Sequence, residues 1–181
     1  MVDVQEGFGD PCWGRRGPGD AEANIDVLLD VWRRHGQPVV LVRHDSVERG
    51  SPLAPGRPGN RLQRRCSGPS DLLVTKSVNS AFHGSPDLDG WLRSRGIGAV
   101  AVCGLTTNHC CETTARVGGN LGYDVWFVLD ATATFDRTGP DGRLVPAETL
   151  MQVTAANLHG EFAEVVDTRT ATAALRPAPS A

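Results

Sequence analysis

The sequence predicts a doubly wound α/β fold, a three-layer sandwich in which helices cover both faces of a mainly parallel, Rossmann-like sheet of about six strands. Two observations carry this expectation. Short apolar runs such as "PVVLVRH", "IGAVAVC" and "DVWFVLD" contain few polar positions, as strands buried on both faces do. Segments with apolar residues at helical spacing separate those runs, the alternation expected of parallel strands joined by crossover helices.

In chain order, "MVDVQ" opens as a strand, and "DAEANIDVLLDVWRRHG" follows as a helix. Asp20 is its N-cap, Ile25, Leu28, Leu29 and Trp32 form its buried stripe, and Gly36 stops it. "PVVLVRH" is the next strand. Residues 45 to 70 include the turn-rich "SPLAPGRPGN" and little periodicity, so they form a long loop of the kind that usually carries function. "DLLVT" is a strand; Ser85 and Pro86 then read as N-cap and first residue of a helix whose Leu88, Trp91 and Leu92 face inward. "IGAVAVC" precedes a helix over 108 to 121, with Thr107 or Asn108 as its cap, and "DVWFVLD" precedes a helix from Pro146 to Gly160. "FAEVV" closes the sheet. Residues 1–167 thus read as one domain and 168–181 as a frayed tail.

A chain of 181 residues is long enough to bury roughly 70% of its unfolded surface in one core. The net charge of −3 and the scattering of the doublets Arg15-Arg16, Arg33-Arg34 and Arg64-Arg65 argue against nucleic acid as a partner. No apolar run approaches the ~18 residues of a membrane span, and no secretion signal is visible, so the expected location is cytoplasmic. Five cysteines, odd in number and without CxxC spacing, read as free thiols in a reducing compartment.

Lys76 is the only lysine among 18 basic side chains. Either chance has left it in an arginine-rich composition, or it serves a task that needs a compact ammonium on a flexible stem. Doubly wound sheets place ligands beyond the carboxyl ends of their strands, where Asp3, Lys76 and Cys110 all lie in this reading. Cys110 falls in the first turn of a helix, whose free N–H groups and dipole favour a thiolate. It is then a nucleophile, or else another packing residue. Cys111, turned ~100° away, has Ala115 and Gly118 at helical spacing and reads as a buried packing thiol. A thiol attacking a carbonyl needs an activating charge, a proton shuttle and donors for the oxyanion. Lys76 and Asp3 offer the first two, and backbone N–H groups near Thr106 and Cys110 the third. Asp3 reads alternatively as a cap or a partner for an arginine.

"VDVQEGF", "KSVNSAF" and "GLTTNHCCETTAR", followed by "DATATFD", resemble in order and spacing the motifs of the isochorismatase-like cysteine hydrolases, from Val2 to about Val166. The resemblance implies that family's fold, a catalytic triad of Asp3, Lys76 and Cys110, and an oxyanion hole at Thr106 and Cys110. It also implies a cis peptide between Leu105 and Thr106. "FGDPCWGRR", "RHDSVERGSPL" and "TFD" look most like a bacterial subgroup that includes streptothricin hydrolase. On that likeness Phe8 and Trp13 are pocket walls, or else ordinary loop aromatics. His44 stands where metal-dependent nicotinamidases carry an Asp-x-His pair; here the stretch reads Arg43-His44-Asp45, so no metal or other cofactor is expected, and His44 is either a substrate contact or a structural residue. His109 is expected to point elsewhere on its helix. Family members usually carry more apolar residues before the aspartate, so either the true start lies upstream of Met1 or the first strand is genuinely short, and clipping a central strand is expected to cost stability.

The function expected is hydrolysis of a C–N bond, an amide or lactam, in a small molecule through a Cys110 thioester, with no nucleic-acid or membrane partner and, by resemblance, a homo-oligomeric state. The alternatives are vinyl-ether hydrolysis of the isochorismatase type, a thiol redox protein using Cys110 and Cys111, and an inactive binding domain.

Overall fold

The computed structural model describes residues 1–17, 19–66 and 68–175. Five strands build its main sheet: β1 (Val40–His44), β2 (Leu72–Lys76), β3 (Ala99–Leu105), β4 (Asp124–Ala133) and, after a two-residue antiparallel pair β5 (Arg137–Thr138) and β6 (Leu144–Val145), β7 (Glu164–Val166). All main-sheet pairings are parallel: β1 with β2, β3 with β4, and β4 with β7. Val2 joins the two halves, bridging Val42 on one side and Gly104 on the other. Across the sheet the order is therefore β2, β1, the Met1–Asp3 segment, β3, β4, β7, six chains wide.

Alternation within each strand explains the two covering layers. Leu41, Cys103, Leu105, Trp126 and Val128 pack with helices α1 (Ala21–Arg34) and α5 (Thr168–Ala173) on one face. Val40, Val42, Val102, Val125 and Phe127 pack on the other face, which α2 (Leu88–Ser94), α3 (Glu112–Asn120) and α4 (Ala147–Leu158) cover. The Asp20 carboxylate caps α1 by accepting from the Ala23 N–H at 3.0 Å, and Gly36 follows the helix at φ 63°.

Four local expectations are corrected. "MVDVQ" is extended only as far as Val2; Asp3 turns at φ 51°, and Glu6–Gly9 is a 3-10 turn. The Ser85 backbone is held to β2 by two 2.8 Å bonds with Thr75, so α2 starts later, with Asp87 as its N-cap residue. The helix after β3 begins as a π-turn over Thr107–Cys111, whose N-cap position is Thr106 without a side-chain cap. Thr107 instead bonds Thr132, and Asn108 accepts from Thr134. Finally, the expected tail opens as α5, capped by Asp167 and anchored by fully buried Ala171; residues 176–181 lie outside the described residues.

Toward the amino ends of β1 and β3 the strands are not bridged, and Val40, Val100, Leu28, Trp32 and Trp91 line an apolar trough of about 190 Å³ there. Higher up, the sheet closes on Gly104. Its φ is 129°, and a Cβ on it would lie 1.9 Å from the Val2 carbonyl oxygen. Glycine is thus what lets β3 approach the segment that carries Asp3. Gly104→Ala is expected to destabilise the protein by more than about 4 kcal/mol, read as a lowered urea midpoint.

Candidate active site

The sheet's register assembles the polar centre. His44 and Lys76 are partners at the carboxyl ends of β1 and β2. Asp3 follows Val2 between β1 and β3, and Cys110 lies in the π-turn that follows β3. Lys76 Nζ donates to Asp3 Oδ2 at 2.5 Å and to Cys110 Sγ at 3.3 Å, and lies 3.2 Å from His44 Nδ1. The carboxylate is fully buried and Lys76 is 3% exposed, so each charge depends on the other for the solvation that water no longer supplies.

Electrostatics correct one expectation. The helix start was expected to favour a thiolate at Cys110, whereas burial first, and then the Asp3 charge, push its thiol up to about 12 against the opposing pull of Lys76. Burial also raises the Asp3 carboxyl above its ordinary 3.8, with the Lys76 charge and hydrogen bond acting in the other direction. Asp3 Oδ1 is buried and makes no hydrogen bond with the described residues, which leaves it as an acceptor for the thiol proton. Asp3, His44 and Cys110 offer ligand atoms within 4.8 Å of one another, a spacing that a metal could use. The Lys76 ammonium already contacts all three, so this set suits the ammonium rather than a metal ion.

A cavity of about 460 Å³ opens in front of Cys110 and brings together Asp3, Phe8, Trp13, His44, Thr106 and Cys110. Phe8 and Trp13 stand with Phe135 as an aromatic wall, their ring centroids 5.0 to 6.2 Å apart. Ser46, Val47, Glu48, Ser51 and Leu53, from the long loop after β1, form another side. Lys76 stands behind Cys110 and is not part of the lining. The Leu105–Thr106 peptide is cis.

His109 corrects the expectation that it points away: it lines the cavity, with Nδ1 3.3 Å from Thr106 Oγ1. Asn79, whose Oδ1 lies 3.7 Å from Cys110 Sγ, and Phe135 were not singled out in the sequence, although both stand inside the quoted motifs "KSVNSAF" and "DATATFD". Cys111 is fully buried beside Ala115, as a packing thiol, and burial pushes its pKa up as well.

Residues 1–168 match the isochorismatase domain. The isochorismatase family protein YrdC of Bacillus subtilis is 38% identical over 170 residues, covering 93% of this chain and 90% of that protein. Nicotinamidase 3 of Arabidopsis thaliana is 33% identical over 162 residues, 80% of this chain and 74% of the plant protein. Streptothricin hydrolase of Streptomyces noursei is 32% identical over 139 residues, 75% of this chain and 54% of that enzyme, so the subgroup likeness is weaker than the likeness to YrdC. Among solved structures, an isochorismatase-family hydrolase from Chromobacterium violaceum superposes with a TM-score of 0.90 at 36% identity, covering 96% of this chain and 90% of that one.

Removing one member of the buried ion pair strands the other. Lys76→Met is expected to cost about 3 to 5 kcal/mol, and Asp3→Asn combined with Lys76→Met to cost less than the sum of the two single changes. Urea denaturation of the three variants measures both quantities.

Proposed function

Because the chain belongs to the isochorismatase family, whose domain spans residues 1–168, we propose that it is a hydrolase that cleaves a C–N bond, in an amide or lactam, of a small molecule, with Cys110 as nucleophile. One observation carries the reading: a single buried ammonium contacts both a carboxylate and a thiol at the inner end of a cavity. A substrate carbonyl carbon would sit against Cys110 Sγ, with its oxygen toward the backbone N–H groups of Thr106 and Cys110. Asp3 takes the thiol proton as the S–C bond forms, and Lys76 balances the charge of the sulfur as it attacks. The tetrahedral oxyanion collapses, the C–N bond breaks, and Asp3 returns the proton to the leaving nitrogen. A water molecule deprotonated by Asp3 then attacks the thioester, releasing the acid and restoring the thiol.

The aromatic wall of Phe8, Trp13 and Phe135 suits a flat or apolar substrate body, and relatives named for amide hydrolysis, such as Nicotinamidase 3, support C–N chemistry. Vinyl-ether hydrolysis, which needs no thiol nucleophile, is the second reading, suggested by the isochorismatase domain that residues 1–168 match. A redox couple of Cys110 with Cys111 is disfavoured by the complete burial of Cys111.

In a screen of small amides and lactams, Cys110→Ser is expected to lower kcat/KM by about 10³-fold or more, while Cys111→Ser leaves it within a few-fold. Rapid quenching and intact-mass measurement should catch the acyl group on Cys110. Equal loss in both variants would overturn the assignment, and turnover retained in Cys110→Ala would favour the vinyl-ether reading. Because attack needs Asp3 ionised and its pKa is raised, activity is expected to fall on the acid side with a midpoint above 3.8. A pH–rate profile locates that limb.

A further inference from the structure

The Lys76 ammonium has three N–H donors and three neighbours that accept them: Asp3 Oδ2, Cys110 Sγ and His44 Nδ1. Its hydrogen-bonding capacity is therefore spent inside the protein, and it has no donor left for a substrate. The third acceptor sets the chemistry of His44. A nitrogen that accepts from an ammonium carries no proton, so the imidazole is neutral with its proton on Nε2. Nε2 lies on the opposite edge of the ring and makes no hydrogen bond with the described residues, while His44 itself lines the cavity.

The backbone of His44 is clamped as firmly as its ring. Fully buried Gln5 accepts from the His44 N–H through Oε1 at 2.9 Å and donates through Nε2 to the His44 carbonyl at 3.0 Å. Asn60 Nδ2 donates to the same carbonyl at 3.1 Å. A half-buried histidine held on three sides by buried side chains is set in a defined orientation, as a residue that meets a substrate needs to be.

We propose that His44 is the hydrogen-bond donor with which this site selects its substrate, its Nε2–H binding an acceptor atom such as a carbonyl oxygen on the acyl portion. The proposal rests on the hydrolase reading above and adds to it a specificity-determining residue. The cavity should thus prefer molecules with an acceptor close to the reacting carbon over those of similar size without one.

The surrounding charges favour this state. Burial first, and then the Lys76 charge, hold the His44 pKa below its ordinary 6.5, outweighing the carboxylates of Asp3, Asp45 and Glu48, which act in the opposite direction. Arg43, on the same strand, is engaged by Asp45 at 2.8 Å. Protonating Nδ1 would set two cations against each other 3.2 Å apart.

Two measurements test the proposal. Nitrogen–proton correlation NMR of the histidine side chains, with the His44 signal identified by its loss in His44→Gln, should show an Nε2–H tautomer titrating below 6.5; an Nδ1–H tautomer or a higher midpoint would overturn it. In the second, Cys110 is alkylated with iodoacetamide, which has a carbonyl acceptor, and with iodoethane, which has none, and labelling is read by peptide mapping. The ratio of the two rates cancels changes in thiol reactivity. It is expected to fall about fivefold or more in His44→Leu and to recover in His44→Gln, whose amide N–H can reach the same place. An unchanged ratio in His44→Leu defeats the proposal while leaving the nucleophile assignment intact. Amide or lactam turnover that survives unchanged in Cys110→Ala would overturn the nucleophile assignment and this inference with it.

Discussion

The ammonium of Lys76, buried against a carboxylate, a thiol and an imidazole, is the interaction on which the rest of the structure depends. A lone charge in that position would cost several kcal/mol, and a lone carboxylate as much. Together they are tolerated, provided that the sheet brings β1, β2 and the segment carrying Asp3 into one register. The requirement reaches into residues far from the chemistry. Gly104 is a glycine because β3 must lie against Val2, and Gln5 is buried because the end of β1 needs its N–H and C=O satisfied beyond the last strand pairing.

The cavity divides its work between two surfaces. Phe8, Trp13 and Phe135 form an apolar wall that can hold the body of a small molecule by area. The polar centre of Asp3, His44 and Cys110 is already tied together through the Lys76 ammonium, and Asp3 Oδ1 is left without a hydrogen bond among the described residues. A site arranged in this way spends little free energy on reorganising when a ligand enters, because its charges are fixed before the ligand arrives.

Much of this was legible in the chain. Apolar runs of the right length gave the strands, and Asp3, Lys76 and Cys110 could be picked out as candidates by residue type and motif, the first two at the ends of such runs and Cys110 in the turn that follows one. Features that depend on what surrounds a residue in space were not legible. The helix start at Cys110 suggested a lowered thiol pKa, but burial and the Asp3 charge push it the other way, and neither is visible in one dimension. Ser85 and Pro86 have the composition of a helix start, yet a bridge to Thr75, ten residues earlier, claims the Ser85 backbone first. Residues 168 to 173 look like a tail until Ala171 is seen filling a gap against α1. His109 faces the cavity because the chain opens its helix with a π-turn, which changes the angular position of every side chain in that turn.

The pairing of His44 with Lys76 across β1 and β2 also bears on how the chain reaches its final state. Parallel strands whose side chains alternate between faces have no half-correct alignment: a slip of one residue sends Lys76 to the wrong side of the sheet and brings Thr75 or Ser77 level with His44. A misaligned chain could still bury much of its apolar surface, since both faces of this sheet are covered and the neighbouring positions are Val42 and Val74. It would have no ammonium between the carboxylate and the thiol. Bulk spectroscopy would count such a chain as folded, whereas the polar centre exists only in the correct alignment, so the fraction of intact sites in a preparation is a direct gauge of the fidelity with which its sheet has been assembled.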